Sequence, residues 1–396
     1  MSRENIQPTP EVSPGPLSRK SQSFRLALYY WALFLIVGIF VPFLPVWMGG
    51  RGLTHQEIGL ILAAALWAKI PVGLGLAGIA DQTGHRRAVL VWIGIGVLAG
   101  LALMIFLQGF WAILIGWVIV GSLVTTAMPV ADSLSLLSAN RVGINYGTVR
   151  RWGSISFIVA SIVGGWYLNG RDSENVLILM IAGTVFLLVS TWSLPDLRVV
   201  ARKQRRPAFL DALRAKDFAL FAVTAALLQS SHAALYGFAS LHWQNAGHSK
   251  STIGWLWAEG VMAEIALFTV SGFLITRLGA RKMLLLAAVA GLIRWTAMGM
   301  TTDLYWLIGL QLLHAFTFSV THVAAFAFIL RNVPEDLSAS AQGVYDSLAM
   351  GLVFGLSMAA AGQVFAAAGP DAFLLMTAFS TAGGIGALML VLRKPK

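Results

Sequence analysis

The sequence predicts an all-α polytopic membrane protein: twelve transmembrane helices in two pseudo-symmetric six-helix bundles. Three observations carry this: too little charge for a water-facing surface, apolar runs recurring at transmembrane length, and an internal repeat. Of the 396 residues, 57% are apolar and only 11% charged, against roughly 45–50% and about 25% in soluble domains. The chain has no Cys, which excludes disulfide frameworks, Cys-ligated zinc, iron–sulfur clusters and thiol catalysis.

Residues 1–22 are polar, with Pro8, Pro10, Pro14 and Pro16, and read as a disordered cytoplasmic tail. No short apolar segment with a small-residue cleavage site precedes the body, so no removable signal peptide is expected. A helix needs about 20 apolar residues to cross a ~30 Å hydrocarbon layer. Such runs fall at 24–48, 56–80, 86–107, 110–137, 148–169 and 174–194, then at 217–243, 251–276, 281–301, 303–330, 338–367 and 371–393. They group into an N-terminal bundle over 23–195 and a C-terminal bundle over 217–396. The basic linker between them, 196–216, carries seven Lys and Arg. With the N-terminus inside, 23 of the 28 Lys and Arg fall in the tails, the even-numbered loops and the span ends beside them; only Arg51, Arg171 and Lys250 fall outside, and Lys69 and Arg294 lie within spans. This asymmetry predicts a multi-pass membrane protein with both termini in the cytoplasm. It also accounts for the net charge of +11 without nucleic acid.

At an offset of 195 residues, Gly52, Ile58, Gly59, Gly84 and Arg86 meet Gly247, Ile253, Gly254, Gly279 and Arg281, and Arg87 meets Lys282. Six matches at one offset argue for duplication, and parallel repeats about the membrane normal are a transporter plan. The loop Ala77-Gly-Ile-Ala-Asp81-Gln-Thr-Gly84-His-Arg86-Arg87 resembles the signature loop of the major facilitator superfamily, with Ala77 and Gln82 departing from its usual Gly and Arg. Its second copy, Gly272 to Lys282, carries Arg277, Gly279 and Arg281 but Thr276 in place of the Asp. The two copies imply a conformational latch, in which an acid at a helix end faces basic side chains and a neighbouring helix terminus.

Finer resemblance is to the lactose-permease branch and, more closely, the phenylpropionate permeases. It rests on Tyr146-Gly-Thr-Val-Arg150-Arg-Trp-Gly153, on Gly254-Trp-Leu-Trp257 through Glu264, on Arg294-Trp295 and on Leu313-His314-Ala-Phe316. The resemblance implies that Arg150 contacts substrate and that Arg294 reaches His314. Thr317 stands where lactose permease has an acid of its proton-coupling cluster, which puts direct transfer of that mechanism in doubt.

A charge near the bilayer centre costs at least ~2.5–3.5 kcal/mol, so each requires a partner or a wet cavity. Lys69 and Glu264 lie equally deep in spans 2 and 8, at the repeat offset, and are expected to act as a midplane base and acid. Asp132 and Arg150 lie at similar depth in spans 4 and 5, as substrate contacts or as an interhelical clamp. Asp346 corresponds to Arg150 at an offset of 196 and joins Glu264, Arg294 and His314 as a proton-coupling candidate. Tyr30, Trp67, Tyr236, Trp257 and Phe316 fall on helices expected to line the cavity, with ordinary aromatic packing the competing reading. His232 and His322 are weaker candidates, more simply helix-to-helix hydrogen bonders.

Gly73-x-Gly75-x-x-Gly78 matches a dinucleotide fingerprint only formally, because it lies inside an apolar span. No Walker, His-Glu-x-x-His or Gly-x-Ser-x-Gly motif is present, so no cofactor, metal or hydrolase chemistry is expected. The reading is a monomeric transporter that imports a small-molecule substrate with protons by alternating access. An aromatic or other organic acid leads, a sugar or nucleoside is the alternative, and an embedded enzyme or a channel remains from other classes.

Overall fold

The computed structural model describes residues 18–197 and 209–393, so most of the proline-rich tail and of the basic linker lies outside the described residues. The described chain is helical throughout, without strands. α1 (Arg19–Gly50) begins inside the segment expected to be a tail, because the Ser18 side chain accepts from the Ser21 amide and caps it. α2 (His55–Thr83) starts on a capping box in which Thr54 and Glu57 satisfy each other's backbone amides. α3 (Arg86–Met104), α4 (Phe110–Val142), α5 (Tyr146–Leu168) and α6 (Asn175–Trp192) complete the first half.

In the second half, after a short helix Phe209–Arg214, α7 runs as Phe218–Ser230 and Ala233–Asn245 with a break between. α8 (250–278) and α9 (280–300) form one 51-residue helical run that turns at Gly279, whose φ of 69° with ψ of 161° suits only glycine. α10 consists of Leu304–Leu312 and Val320–Asn332 around a π-helical turn, Ala315–Ser319. α11 consists of Ser338–Ser347 and Val353–Ala368 around a second, Leu348–Leu352. α12 is Asp371–Leu392. Ten described runs are long and apolar enough to cross a membrane. Gly279 divides one of them, and α5, diluted by Arg150 and Arg151, makes the twelfth.

The two faces of the bundle pack differently. On the face opposite the chain ends, α2 meets α11 and α5 meets α8 through glycine. A Cβ built on Gly59 would fall 2.9 Å from Gly362 Cα, and one on Gly165 would fall 2.5 Å from Lys250 O and 3.2 Å from Gly254 Cα. Gly59 and Gly254 are repeat mates, so the two seams are pseudo-symmetric. One continuous apolar core joins the first half to the α7–α12 segments near this face, including Phe238, Ile253, Met298, Leu307 and Met358. Near the face that carries the chain ends (the basic face), the second half keeps a separate core of its own, with Phe221, Met283, Phe328 and Ala341. The halves share one core at the opposite face and keep separate cores toward the basic face.

Candidate functional site

In the first half the polar groups gather around Arg150 on α5. Its guanidinium lies over the rings of Phe34 and Tyr30 on α1, at 4.4 and 5.4 Å from the centroids. Arg150 Nε is 3.9 Å from Asp132 Oδ1, and its NH2 group meets only the Met128 sulfur, at 3.1 Å. Asp132 Oδ1 instead accepts from Tyr30 Oη at 2.5 Å and Tyr146 Oη at 3.0 Å. The structure thus brings Asp132, Arg150 and Tyr30 together as expected. Phe34 and Tyr146 complete the cradle; Tyr146 heads the motif that carries the resemblance, whereas Phe34 lacked any signal beyond its place one turn from Tyr30.

In the second half Arg294, fully buried on α9, is the hub. One of its NH1 contacts is His314 Nδ1 at 2.8 Å and another is Thr317 Oγ1 at 2.9 Å, while NH2 donates to Gln311 Oε1 at 2.7 Å. His314 Nε2 meets Glu264 Oε1 at 2.7 Å. Arg294 is only a donor, so His314 Nδ1 accepts, and the neutral ring carries its proton on Nε2, aimed at Glu264. The expected reach of Arg294 to His314 is present. Lys69 and Glu264, expected to act as a midplane base and acid, are not each other's partners: Glu264 pairs with His314, and the carboxylate acting on half-buried Lys69 is Asp346, exposed on α11. A shared repeat position does not make the two residues partners, because Glu264 already has His314 at 2.7 Å within its own half. His322 lies within electrostatic reach of Glu264, Asp346 and Arg150.

The aromatic candidates divide. Tyr236 packs against Trp257, Phe354 and His314 at centroid distances of 5.5, 5.9 and 6.5 Å, beside the polar hub. Trp257 is 4% exposed and donates to Ser240 Oγ at 2.9 Å, so its indole is spent on packing α7 to α8. Trp67 lies in the α2–α11 seam and donates to Leu352 O at 3.3 Å. Phe316 is 38% exposed and joins none of these rings.

At the basic face Asp81 pairs with Arg86 at 2.5 Å, Arg86 Nε donates to Ser133 on α4, and Arg87 reaches the Trp192 carbonyl at the end of α6. Gly84 closes α2 at a left-handed φ of 70°. In the second copy Arg281 donates to Asp217 at 2.8 Å, and Arg393 joins the same carboxylate at 2.7 Å. Asp217, just before α7, thus takes the place of the acid lost at Thr276. Arg277 stands apart from this cluster, exposed, with its guanidinium over Phe273.

Twelve helices in two repeats, with charged side chains converging between the halves, define a multi-pass membrane transporter that takes a small-molecule substrate. The chain belongs to the MFS_1 like family, whose model matches residues 23–376, and the resemblance read from the loop after span 2 is borne out. It is 35% identical over 370 residues to a probable 3-phenylpropionic acid transporter of Escherichia coli (strain K12), covering 90% of this chain and 94% of that one. It is 25% identical over 334 residues to maltose permease of Geobacillus stearothermophilus, covering 82% and 83%. Its fold matches the crystal structure of the nucleoside transporter NupG with a TM-score of 0.82 over 94% of this chain and 100% of that chain, at 17% identity.

Proposed function

We propose that the protein is a monomeric proton symporter, not an enzyme, that imports a small organic acid across the bacterial inner membrane by alternating access. Both termini lie in the cytoplasm, which makes this conformation inward-open. One observation carries the substrate class: the Arg150 guanidinium lies against two rings with no carboxylate closer than 3.9 Å. Asp132 is already occupied by two phenols, so Arg150 keeps N–H donors for an incoming carboxylate. Tyr30 and Phe34 offer a wall for an aromatic ring, and Lys69 supplies a second cation. An anion entering a membrane cavity needs such fixed charge to offset its lost hydration. The relative described as a probable 3-phenylpropionic acid transporter supports the same class. Glu264, receiving the His314 Nε2–H, is the proton carrier in this reading, and the clusters of Asp81 and Asp217 are the latches of the rocking motion.

The test measures binding of 3-phenylpropionate, uridine and maltose to purified protein, then uptake under an imposed pH gradient. For an organic acid, Lys69→Arg keeps measurable phenylpropionate binding, Lys69→Gln and Arg150→Lys lose most of it, and Asp132→Asn is milder. The reverse order, with uridine or maltose bound, would establish the neutral-solute alternative. Glu264→Gln should abolish gradient-driven accumulation yet leave labelled exchange. Accumulation that survives would move the proton to Asp346 or Asp132.

A further inference from the structure

His232 has no part in the reading above, yet it sits where two irregularities of the backbone meet. It occupies the break in α7, and it faces Thr317 in the π-helical turn of α10, a feature that concentrates at functional sites. The side chain is fully buried and both ring nitrogens are engaged: Nδ1 with Gln229 O at 2.9 Å and Nε2 with Thr317 Oγ1 at 3.0 Å. A carbonyl oxygen only accepts, so Nδ1 carries the proton and Nε2 of the neutral ring accepts. Thr317 then donates to His232 at 3.0 Å, ahead of the Leu313 and His314 carbonyls that its hydroxyl also reaches at 3.3 Å, and turns its oxygen lone pairs toward Arg294 NH1. The hydrogen bonds therefore run in one direction, from Arg294 through Thr317 and His232 to the Gln229 carbonyl. A second branch runs from Arg294 through His314 to Glu264.

We propose that His232 is a positioning residue of the proton site: it orients the Thr317 hydroxyl, which holds Arg294 on His314 Nδ1 and so keeps the His314 proton facing Glu264. This rests on the reading of Glu264 as the proton carrier. The charged and titratable groups facing the two histidines are Glu264 from α8, Arg294 from α9, Tyr236 from α7 and, along α10, His322, which is itself within reach of Asp346 on α11. Thr317 thus does, as a neutral relay, what an acid at that position would do by charge. Without it Arg294 NH1 is no longer held on the imidazole, His314 Nδ1 is freed to take a second proton, and a charged His314 would hold Glu264 ionised.

The experiment is nitrogen-15 NMR of histidine-labelled protein, with signals assigned by single replacement of the seven His, alongside the pH profile of uptake. Wild type should show neutral His232 as the Nδ1–H tautomer and neutral His314 as the Nε2–H tautomer. In Thr317→Val and in His232→Phe, His314 should leave the single Nε2–H form. The uptake profile should move to acid by on the order of one pH unit, the scale of one hydrogen bond to a charged group. The double variant should be no worse than Thr317→Val alone. A lowered Tm with His314 tautomer and pH profile unchanged would reduce His232 to a packing residue and overturn the proposal. Should neither variant fold, wild type still decides, because His232 as Nε2–H or His314 as Nδ1–H contradicts it. Wild-type uptake indifferent to a pH gradient would instead overturn the proton-coupling reading, whatever the tautomers show.

Discussion

Gly165→Ala should open the face opposite the chain ends. The new methyl would lie 2.5 Å from the Lys250 carbonyl oxygen and 3.2 Å from Gly254 Cα, both backbone atoms that cannot rotate away. Ordinary carbon contacts are about 3.5–4.0 Å, so α5 and α8 must separate by roughly 1 Å. Overpacking of this kind costs about 1–3 kcal/mol, charged only to the conformation in which the seam is closed. The ratio of closed to open molecules should therefore fall roughly five- to 150-fold, at 1.4 kcal/mol per factor of ten. The chain has no native Cys, so Gln56→Cys with Ala367→Cys, both exposed on this face, gives a spin-label pair on α2 and α11 without background. The wild-type pair should show one short distance, and Gly165→Ala should add a longer population at this second, untouched seam. Gly309→Ala, with no atom within 4 Å of the added methyl, is the silent control. A folded Gly165→Ala protein with the wild-type distance distribution would refute the claim that glycine seams hold the halves together.

Two further predictions concern charge. Hydrogen bonding from Arg393, then the charges of Arg281 and Arg393, hold the Asp217 carboxyl below the usual carboxylate range. That stabilisation is complete above the unfolded carboxylate's pKa of about 4 and is lost as pH falls through the lower folded value. Asp217→Asn should thus cost on the order of 2 kcal/mol at neutral pH, read as a lower Tm, and the gap from wild type should narrow below about pH 4. Lys69 feels the charge of exposed Asp346 without an ion pair among the described residues, so Lys69→Gln with Asp346→Asn should depart from additivity by only about 0.2–1 kcal/mol. Additive losses in Tm would show that the two do not interact.

The spans were legible because a membrane demands an unbroken apolar run and because the repeat supplies an independent register. The hub of Glu264, Arg294 and His314 was legible as a set, since buried charges are rare enough to stand out. Its wiring was not. The repeat places Lys69 level with Glu264 but does not say what each side chain meets: Glu264 pairs with His314, and Lys69 feels the charge of Asp346. The replacement of the acid missing at Thr276 by Asp217 was also hidden, because the two lie 59 residues apart by number and meet Arg281 from different helices. Phe34 resembles dozens of other rings in the chain until the fold sets it against Arg150. The break in α7 and the π-turn of α10 have no Pro to announce them.

Strength is distributed unevenly between and within the halves. On the opposite face Arg51 meets both Glu174 oxygens, at 2.5 and 2.6 Å, and donates to the carbonyls of Leu107 and Ile105, at 2.7 and 2.9 Å. Those bonds tie the three outer connections of the first half, α1–α2, α3–α4 and α5–α6, into one body. Hydrogen bonds from Arg51 hold the Glu174 carboxyl below its usual range, so this clasp persists through ordinary pH. In the second half His248 reaches Thr302 O at 2.6 Å, joining α7–α8 to α9–α10. Across the seams the polar contacts are Lys250 Nζ to Arg171 O, at 2.7 Å and solvent-exposed, and Trp67 to Leu352 O at 3.3 Å, set beside glycine against backbone and the apolar core shared at this face. Glycine gives close approach with little side-chain area to bury, so such a seam excludes water while adding little depth to the closed state. Bodies stiff within and weakly joined move by rotation about the join rather than by bending. That distribution supports a rocking transporter, whose closed face must be tight enough to seal and shallow enough to reopen every cycle.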